Sequence, residues 1–471
     1  MTLPLHKTKI VATIGPASES PQVMEQMLQA GMDIARLNFS HGSFDYHAEL
    51  IRRLRAAARA AGRRLAILAD LPGPKMRLKE LALEPLELRP GDRFTLTTAE
   101  VPGDASRVSV TFTPLPRVVQ AGDTLYLNDG QIELEVVEVR APEVACRVVV
   151  GGELRSGQGL NLPGVSLGIS AFTEHDRECL ELALGHGVDA VSQSFVESAR
   201  DIRTVRQAAA ALGYRPFIIA KIERARALDN LEGILEEADG LMIARGDLGV
   251  EIPIEQIAGV QKRLMREANA RGKPVITATQ MLESMIEHTR PTRAEATDVA
   301  NAILDGTDCV MLSGESAVGR YPVAAVSMLA KIAAAIEPFQ PQRGREFLRA
   351  AGEAPTRAKD LIPLSVQTVL EKVTPAAVFV PTRSGATARS IARFRPPVWI
   401  IAVSSQEVTC QRLQFSRGVH PVHEPDHPED WKTYVRRWLE GQGIPGNLVV
   451  LTEGPSAKHP EANHRMELIE L

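Results

Sequence analysis

FIIAKIE (Phe217 to Glu223) and LMIARGDL (Leu241 to Leu248) are consecutive apolar runs of strand length, each carrying a carboxylate at or near its end. Six runs of the same kind surround them. KIVATIG (Lys9 to Gly15), DIARLNFS (Asp33 to Ser40), LAILADL (Leu65 to Leu71) and DAVSQSFV (Asp189 to Val196) precede, and PVITATQM (Pro274 to Met281) and CVMLSGES (Cys309 to Ser316) follow. The segments between them read as helices: SPQVMEQMLQAG starts on Ser20 and Pro21 and stops at Gly31, and DIRTVRQAAAALG stops at Gly213. Strand and helix alternating in this way predict an α/β fold, a (β/α)₈ TIM barrel, with functional groups where strands end and loops begin. Polar residues follow that geometry. Arg36, Asn38 and Ser40 close the second run, Asp70 the third, Lys221 and Glu223 the fifth, and Asp247, Thr279 and Glu315 the last three. Any one of them is as readily a helix cap or a partner for loop backbone. So many charged groups on one rim imply a ligand or ion, because burying them together without one is costly.

The alternation stops after Leu71, and until about Gly168 the chain reads as β: RVSVTF, DTLYLNDG, QIELEVVEV and EVACRVVV, with Asp129-Gly130 as a hairpin signal. The barrel is therefore expected to comprise residues 1–71 and 169–338, with an all-β lid domain of residues 72–168 inserted at its mouth to close on substrate and exclude water. A third domain, residues 339–471, follows the polar stretch QPQRGREFLRAAGEAPTRAKD and resumes an αβ pattern in PAAVFVPTRSG, WIIAVSS and LVVLTEG. Its turn Thr382 to Thr387 lies between a strand and a helix, where backbone N–H groups and hydroxyls can meet a phosphate. Six arginines crowd this region (Arg383, Arg389, Arg393, Arg395, Arg412 and Arg417), a pattern that solvated helix faces usually explain.

Whole-chain properties narrow the partners. Among 471 residues, 54 Lys and Arg face 58 Asp and Glu, a net charge of -4, so no basic field points to nucleic acid or an anionic membrane. Cys146, Cys179, Cys309 and Cys410 lie far apart, without the spacing of a metal site or disulfide framework, which suits a reducing cytoplasm. Lys7 and Lys9 stand where a secretory signal needs an apolar run, and no stretch is expected to reach the ~18 apolar residues of a membrane span.

Glu223 and Asp247, at the ends of consecutive strands, are expected to share one hard cation, Mg²⁺ or Mn²⁺, leaving positions open to substrate oxygens. The bland alternative is a salt bridge with Lys221 or Arg245. Glycines around Asp247 in RGDLG let backbone approach a ligand. Arg36, Arg77 and Lys221 add the positive charge that phosphoryl transfer requires. No GxxxxGK[ST] sequence occurs, so a nucleotide would be held by rim and lid.

RLNFSHG (Arg36 to Gly42), AKIE (Ala220 to Glu223), ARGDLGVEIP (Ala244 to Pro253), TATQMLESM (Thr277 to Met285), RPTRAEATDVANAILDG (Arg290 to Gly306) and MLSGESAVGRYP (Met311 to Pro322) resemble pyruvate kinase motifs, as do SGATAR, RFRP and RGVHPV in the third domain. The resemblance implies Mg²⁺-dependent phosphoryl transfer from phosphoenolpyruvate to ADP, giving pyruvate and ATP, in a cytoplasmic homotetramer. It implies that Glu223 and Asp247 bind Mg²⁺, that Lys221 stabilises the transferring phosphoryl group, and that Arg36 and Arg77 grip phosphates. Asn38 and His41 match residues on the nucleotide side. Thr279 matches the threonine near the enolate carbon, Ser313 and Glu315 a proton relay, and the amides of Gly246 and Asp247 would meet the substrate carboxylate.

Departures from the family pattern carry information. Lys75 stands where K⁺-activated members have Glu, and their K⁺ site matches Asn38, Ser40, Asp70 and Leu71; a tethered ammonium here implies activity without K⁺. Gln158 replaces a lysine of the lid, with Arg155 nearby. Glu197 and Arg226 reverse charges usual in the family. Thr382, Ser384, Gly385 and Thr387 resemble its sugar-phosphate effector loop. Two rival readings keep the barrel but change the function: a catalytically weak or inactive metabolite sensor, and a barrel lyase that stabilises an enolate on Mg²⁺.

Overall fold

A computed structural model describes residues 3–340, 358–426, 428–454 and 464–471. Eight parallel strands close on themselves: Lys9–Thr13, Ile34–Asn38, Ala66–Leu71, Ala190–Gln193, Phe217–Ile222, Gly240–Ala244, Val275–Ala278 and Cys309–Leu312, the last pairing with the first. Strands covered on both faces need apolar side chains on both, which is why these segments read as unbroken runs. Side chains such as Val11, Leu68, Ile219, Met242 and Ile276 fill the barrel centre. Phe415 of the C-terminal domain joins them, stacked on Phe217 with ring centroids 5.4 Å apart.

The outer helices start and stop where local chemistry dictates. Ser20 caps Pro21–Ala30 by accepting from the Val23 amide, and Gly31, at φ 121°, ends it. Two runs end earlier than expected. LMIARGDL is strand only to Ala244, where pairing with the seventh strand stops at Ala278, and Arg245–Glu251 is a short helix. CVMLSGES likewise turns helical at Gly314–Ala317. Asp247 is therefore a first-turn helix residue, where the helix dipole favours its charge.

Contrary to the sequence expectation, one stretch does have the length and apolarity of a membrane span: Pro322–Phe339, of mean hydropathy 1.4. Its helix, Pro322–Ile336, lies in the barrel's outer ring between Pro21–Ala30 and Arg293–Asp305 and buries Val326 and Leu329, with 28% of the stretch buried.

The third strand's last residues pair directly with the fourth, Asp70 with Ser192 and Leu71 with Gln193, so everything between them is an excursion from the barrel rim. That excursion holds a six-stranded sheet in the order Leu160–Asn161, Thr124–Leu127, Ile132–Arg140, Glu143–Val150, Arg93–Thr97, Arg107–Ser109, and a separate pair, Leu86–Leu88 with Gly152–Leu154. Asn128 and Asp129 turn its hairpin at φ 52° and 53°. The C-terminal domain is a five-stranded sheet, ordered Val419–His423, Ile400–Ser404, Val378–Pro381, Leu448–Glu453, Arg465–Glu470, with only the last strand antiparallel. Most of the polar stretch before it, residues 341–357, lies outside the described residues. Solvation accounts for only part of the arginine cluster: Arg383 is exposed, whereas Arg395 and Arg417 are buried against the barrel, and Arg393 and Arg412 donate to carbonyls of Ala270 and Arg215.

Candidate active site

The second, third, fourth and fifth strands set up one charged cluster. Both Nε and Nη2 of Arg36 donate to Asp70 Oδ2, at 2.9 and 2.5 Å, and Ser192 Oγ donates to Oδ1 at 2.6 Å. Burial alone would raise the Asp70 carboxyl. The charges of Lys221 and Arg36, with the bonds from Ser192 and Arg36, outweigh it and hold the group at about 2. Lys221 Nζ donates to Ser194 Oγ at 2.5 Å and lies 3.4 Å from Glu223 Oε2 and 3.5 Å from Asp70 Oδ1. Burial would strip its proton, but Asp70 and Glu223 prevail and lift the ammonium above its usual range.

Glu223 is 2% exposed. Its Oε1 accepts from the Phe195 amide at 2.6 Å, while Oε2 is buried and makes no hydrogen bond. The contact with Lys221 at 3.4 Å is thus Coulombic, with lone pairs of Oε2 left open. Burial pushes this carboxyl up to about 7, with Asp247 and Asp70 adding to the shift and Lys221 opposing it. Such a group binds a proton or a cation near neutral pH. The salt-bridge alternative for Asp247 finds no support: among the described residues its carboxylate makes no ion pair. Arg245 instead clamps Asp298 at 2.7 Å and the carbonyl of Thr279 at 2.8 Å. Asp247 is an acidic neighbour of Glu223, and no cluster of three or more Asp, Glu, His or Cys suited to a metal occurs among the described residues. One open buried oxygen beside an unpaired carboxylate suits a hard divalent ion that keeps its other positions for substrate and water.

Thr279, directly after the seventh strand, has φ 66°, and Gln280 follows at 53°. A β-branched residue in this region is strained, and the surroundings hold it there. Its hydroxyl accepts from the Gly246 amide at 2.8 Å, linking it to the helix of Asp247. Glu315 is fully buried, and its two oxygens accept from the amides of Leu282 and Ser313 at 3.0 and 2.7 Å. It therefore ties the loop behind Thr279 to the eighth strand.

Around this centre, Asn38 Oδ1 accepts from the Ser40 amide at 3.2 Å, and the Leu71 carbonyl accepts from Ser194 Oγ at 2.7 Å. The exposed His41 imidazole is driven down by partial burial and by the charges of Lys75, Arg77 and Arg36, which places it in the same cationic corner. Arg77 Nη1 donates to the Gly157 carbonyl at 2.6 Å, on the lid side of the cleft. Arg155 pairs with Glu153 at 2.7 Å, and Gln158 turns back to accept from the Arg155 amide. Glu197 and Arg226, the reversed charges, meet each other at 3.3 Å. At the turn Thr382 to Thr387, Thr382 Oγ1 accepts from the Gly385 amide at 2.9 Å, Arg389 donates to the Ser384 carbonyl, and Thr387 lies in the short helix that follows.

Sequence reasoning passed over Ser192 and Ser194, whose signal was their polar alternation within DAVSQSFV. It also read Asp129 only as a turn. Burial and the nearby Asp247 raise that lid carboxyl, with Arg77 and Lys75 opposing, so the hairpin tip stands over the cleft. A Cβ at the neighbouring Gly130 would lie 3.6 Å from Val250.

Cations gathered beside two carboxylates, beneath the hairpin tip of the inserted β domain, suit the transfer of a phosphoryl group, and in class the protein is a phosphotransferase. Residues 5–326 match the pyruvate kinase barrel domain and residues 360–466 the pyruvate kinase alpha/beta domain. The chain belongs to the pyruvate kinase family. A pyruvate kinase of Thermococcus litoralis is 48% identical over 461 residues, 96% of each chain. That of Geobacillus stearothermophilus is 45% identical over 424 residues, 89% of this chain and 72% of the relative. The solved structure of a pyruvate kinase from Cryptosporidium parvum shares the fold with a TM-score of 0.92 at 32% identity, covering 99% of this chain and 96% of that one.

Proposed function

We propose that the chain moves the phosphoryl group of phosphoenolpyruvate onto ADP, with Glu223 and Asp247 as the protein ligands of Mg²⁺ or Mn²⁺. The observation that carries this reading is the buried Oε2 of Glu223, which makes no hydrogen bond, beside an Asp247 carboxylate that has no ion-pair partner among the described residues. A divalent ion held there by Glu223 and Asp247 would supply positive charge that offsets the anionic substrate. Lys221, steered by Ser194 and kept charged by Asp70 and Glu223, turns its ammonium to the phosphorus in transit. The amides of Gly246 and Asp247 receive the substrate carboxylate, and Thr279 stands at the enolate carbon that gains a proton. Glu315 and Ser313 hold that loop. Arg36 and Arg77 grip phosphate oxygens, and Asn38 and His41 face the nucleotide. Lys75 replaces K⁺, and the turn Thr382 to Thr387, with Ser384 and Gly385, takes a phosphorylated sugar as effector.

A coupled assay with phosphoenolpyruvate, ADP and Mg²⁺, run on wild type and Lys221→Met, tests the reading. Wild type should form pyruvate and ATP, with added sugar phosphates raising the apparent substrate affinity. The variant should keep Mn²⁺–oxalate binding yet lose about 10³-fold in turnover, because the ammonium acts chiefly on the transition state. Binding without turnover in wild type would favour the sensor reading, carbon–carbon cleavage of another substrate would favour the lyase, and an unimpaired variant would remove Lys221 from the mechanism.

A further inference from the structure

The chain returns from lid to barrel through Leu160 to Val165, and one buried guanidinium meets it there. Arg224 is 2% exposed and follows Glu223 directly in sequence. Its Nη2 donates to the carbonyl of Val165 at 2.7 Å and its Nη1 to that of Leu162 at 3.4 Å. Nη1 also donates to Glu251 Oε1 at 2.5 Å, at the far end of the short helix that carries Asp247. Nε points to Glu197 Oε1 at 3.3 Å, and the other oxygen of Glu197 meets Arg226. Glu251 in turn accepts from the Ala225 amide at 3.3 Å and from the amide of Gly164, in the returning segment itself.

Taking an arginine and a glutamate out of water together is costly, and well-packed apolar side chains of the same size would stabilise the fold as well or better. What the polar version adds is direction, since a planar guanidinium fixes each of its partners in a defined place. The reversed charges thus have a joint purpose: Glu197 supplies the outer carboxylate that Arg224 requires, and Arg226 balances it.

We propose that Arg224 is a positioning residue that couples the posture of the lid to the metal-binding rim. One guanidinium holds the returning lid segment and the helix of Asp247, and its own backbone continues from Glu223. The lid therefore cannot swing about this hinge without disturbing both carboxylates. Filling the rim with a divalent ion and a substrate analogue then tightens the hinge. The inference rests on the assignment of Glu223 and Asp247 as metal ligands.

Amide hydrogen exchange across Leu160 to Gly168 in the full-length protein, with and without Mn²⁺ plus oxalate, tests it. Glu251→Gln keeps the shape while weakening the grip on Arg224, and Glu197→Gln weakens the same guanidinium from its solvent side should the first variant fold poorly. In wild type the ligands should slow exchange at Gly164 and Val165. In Glu251→Gln these amides should exchange about 10-fold faster without ligands, and the protection by Mn²⁺ and oxalate should vanish. Turnover should fall about 10-fold while the KM for phosphoenolpyruvate moves by less than about 2-fold, a split that simple loosening of the fold does not produce. Hinge exchange that matches wild type in both variants, or ligand protection of equal size, would overturn the coupling. If wild type fails to bind Mn²⁺ and oxalate, the metal assignment falls, while the comparison without ligands still decides whether Arg224 holds the hinge.

Discussion

Lys75 stands among charges of its own sign. Partial burial, then the neighbouring Lys221 and Arg77, push its ammonium down to about 8, against the pull of Asp70 and Asp247. Its side chain still reaches solvent, so it titrates within the open cleft. A cation with a lowered pKa is fully charged below that value and loses charge as the pH rises through it. Asp70, held at about 2, stays ionised throughout and does not blur the effect. Should Lys75 replace K⁺, turnover in K⁺-free buffer will match that in KCl near pH 7, fall as the pH passes about 8, and recover in part when KCl is added. Lys75→Glu will make KCl necessary at every pH. Strict dependence of wild type on K⁺ at pH 7, measured as steady-state rate in the two buffers, contradicts the assignment.

The loop after Thr279 depends on elements that lie behind it. Thr292 and Glu295 form a capping box at the start of Arg293–Asp305, and the Glu295 carboxylate also accepts from the amide and hydroxyl of Ser284 at 2.7 and 2.5 Å. One side chain thus completes a helix end and fixes the turn Glu283–Ile286, a few residues after the strained Thr279. Glu295→Ala should cost about 1 kcal/mol through the lost cap, and somewhat more if the Ser284 bonds add to it. The denaturant midpoint measures this, and an unchanged midpoint would show that water replaces the carboxylate at no cost. The early end of the sixth strand belongs to the same scale. ARGDLG has both apolar and helical character, and only the seventh strand, by ceasing to pair at Ala278, decides where extension gives way to helix.

At the scale of the molecule, the C-terminal domain is fastened to the barrel floor by buried charge. Arg395, at φ 56° and 4% exposed, donates to both oxygens of Asp308 at 2.7 and 3.0 Å and to Asn269 and the Gly306 carbonyl at 2.7 and 2.5 Å. Arg395→Met leaves Asp308 buried without its ion-pair partner and should destabilise the protein by about 3–5 kcal/mol. Equilibrium unfolding followed at its first transition checks this; a loss below about 1 kcal/mol would mean that water reaches Asp308. The eight strands, the β excursion and the third domain could be read from the chain because a strand covered on both faces, a half-covered strand and a capped helix each impose a local pattern. Lys221, Glu223, Asp247 and Thr279 stood out as polar residues closing apolar runs. The sequence by itself determined the order of the barrel strands and most of the side chains that line the rim, since both follow from neighbours along the chain. Only the tertiary structure decided that Arg224 clasps the lid hinge, that Glu197 pairs with Arg226, that Glu315 is held by backbone amides and that Phe415 closes the barrel floor. Apart from the Ser313–Glu315 bond, each of these joins residues far apart in the chain, and no local period records which distant group a side chain will meet.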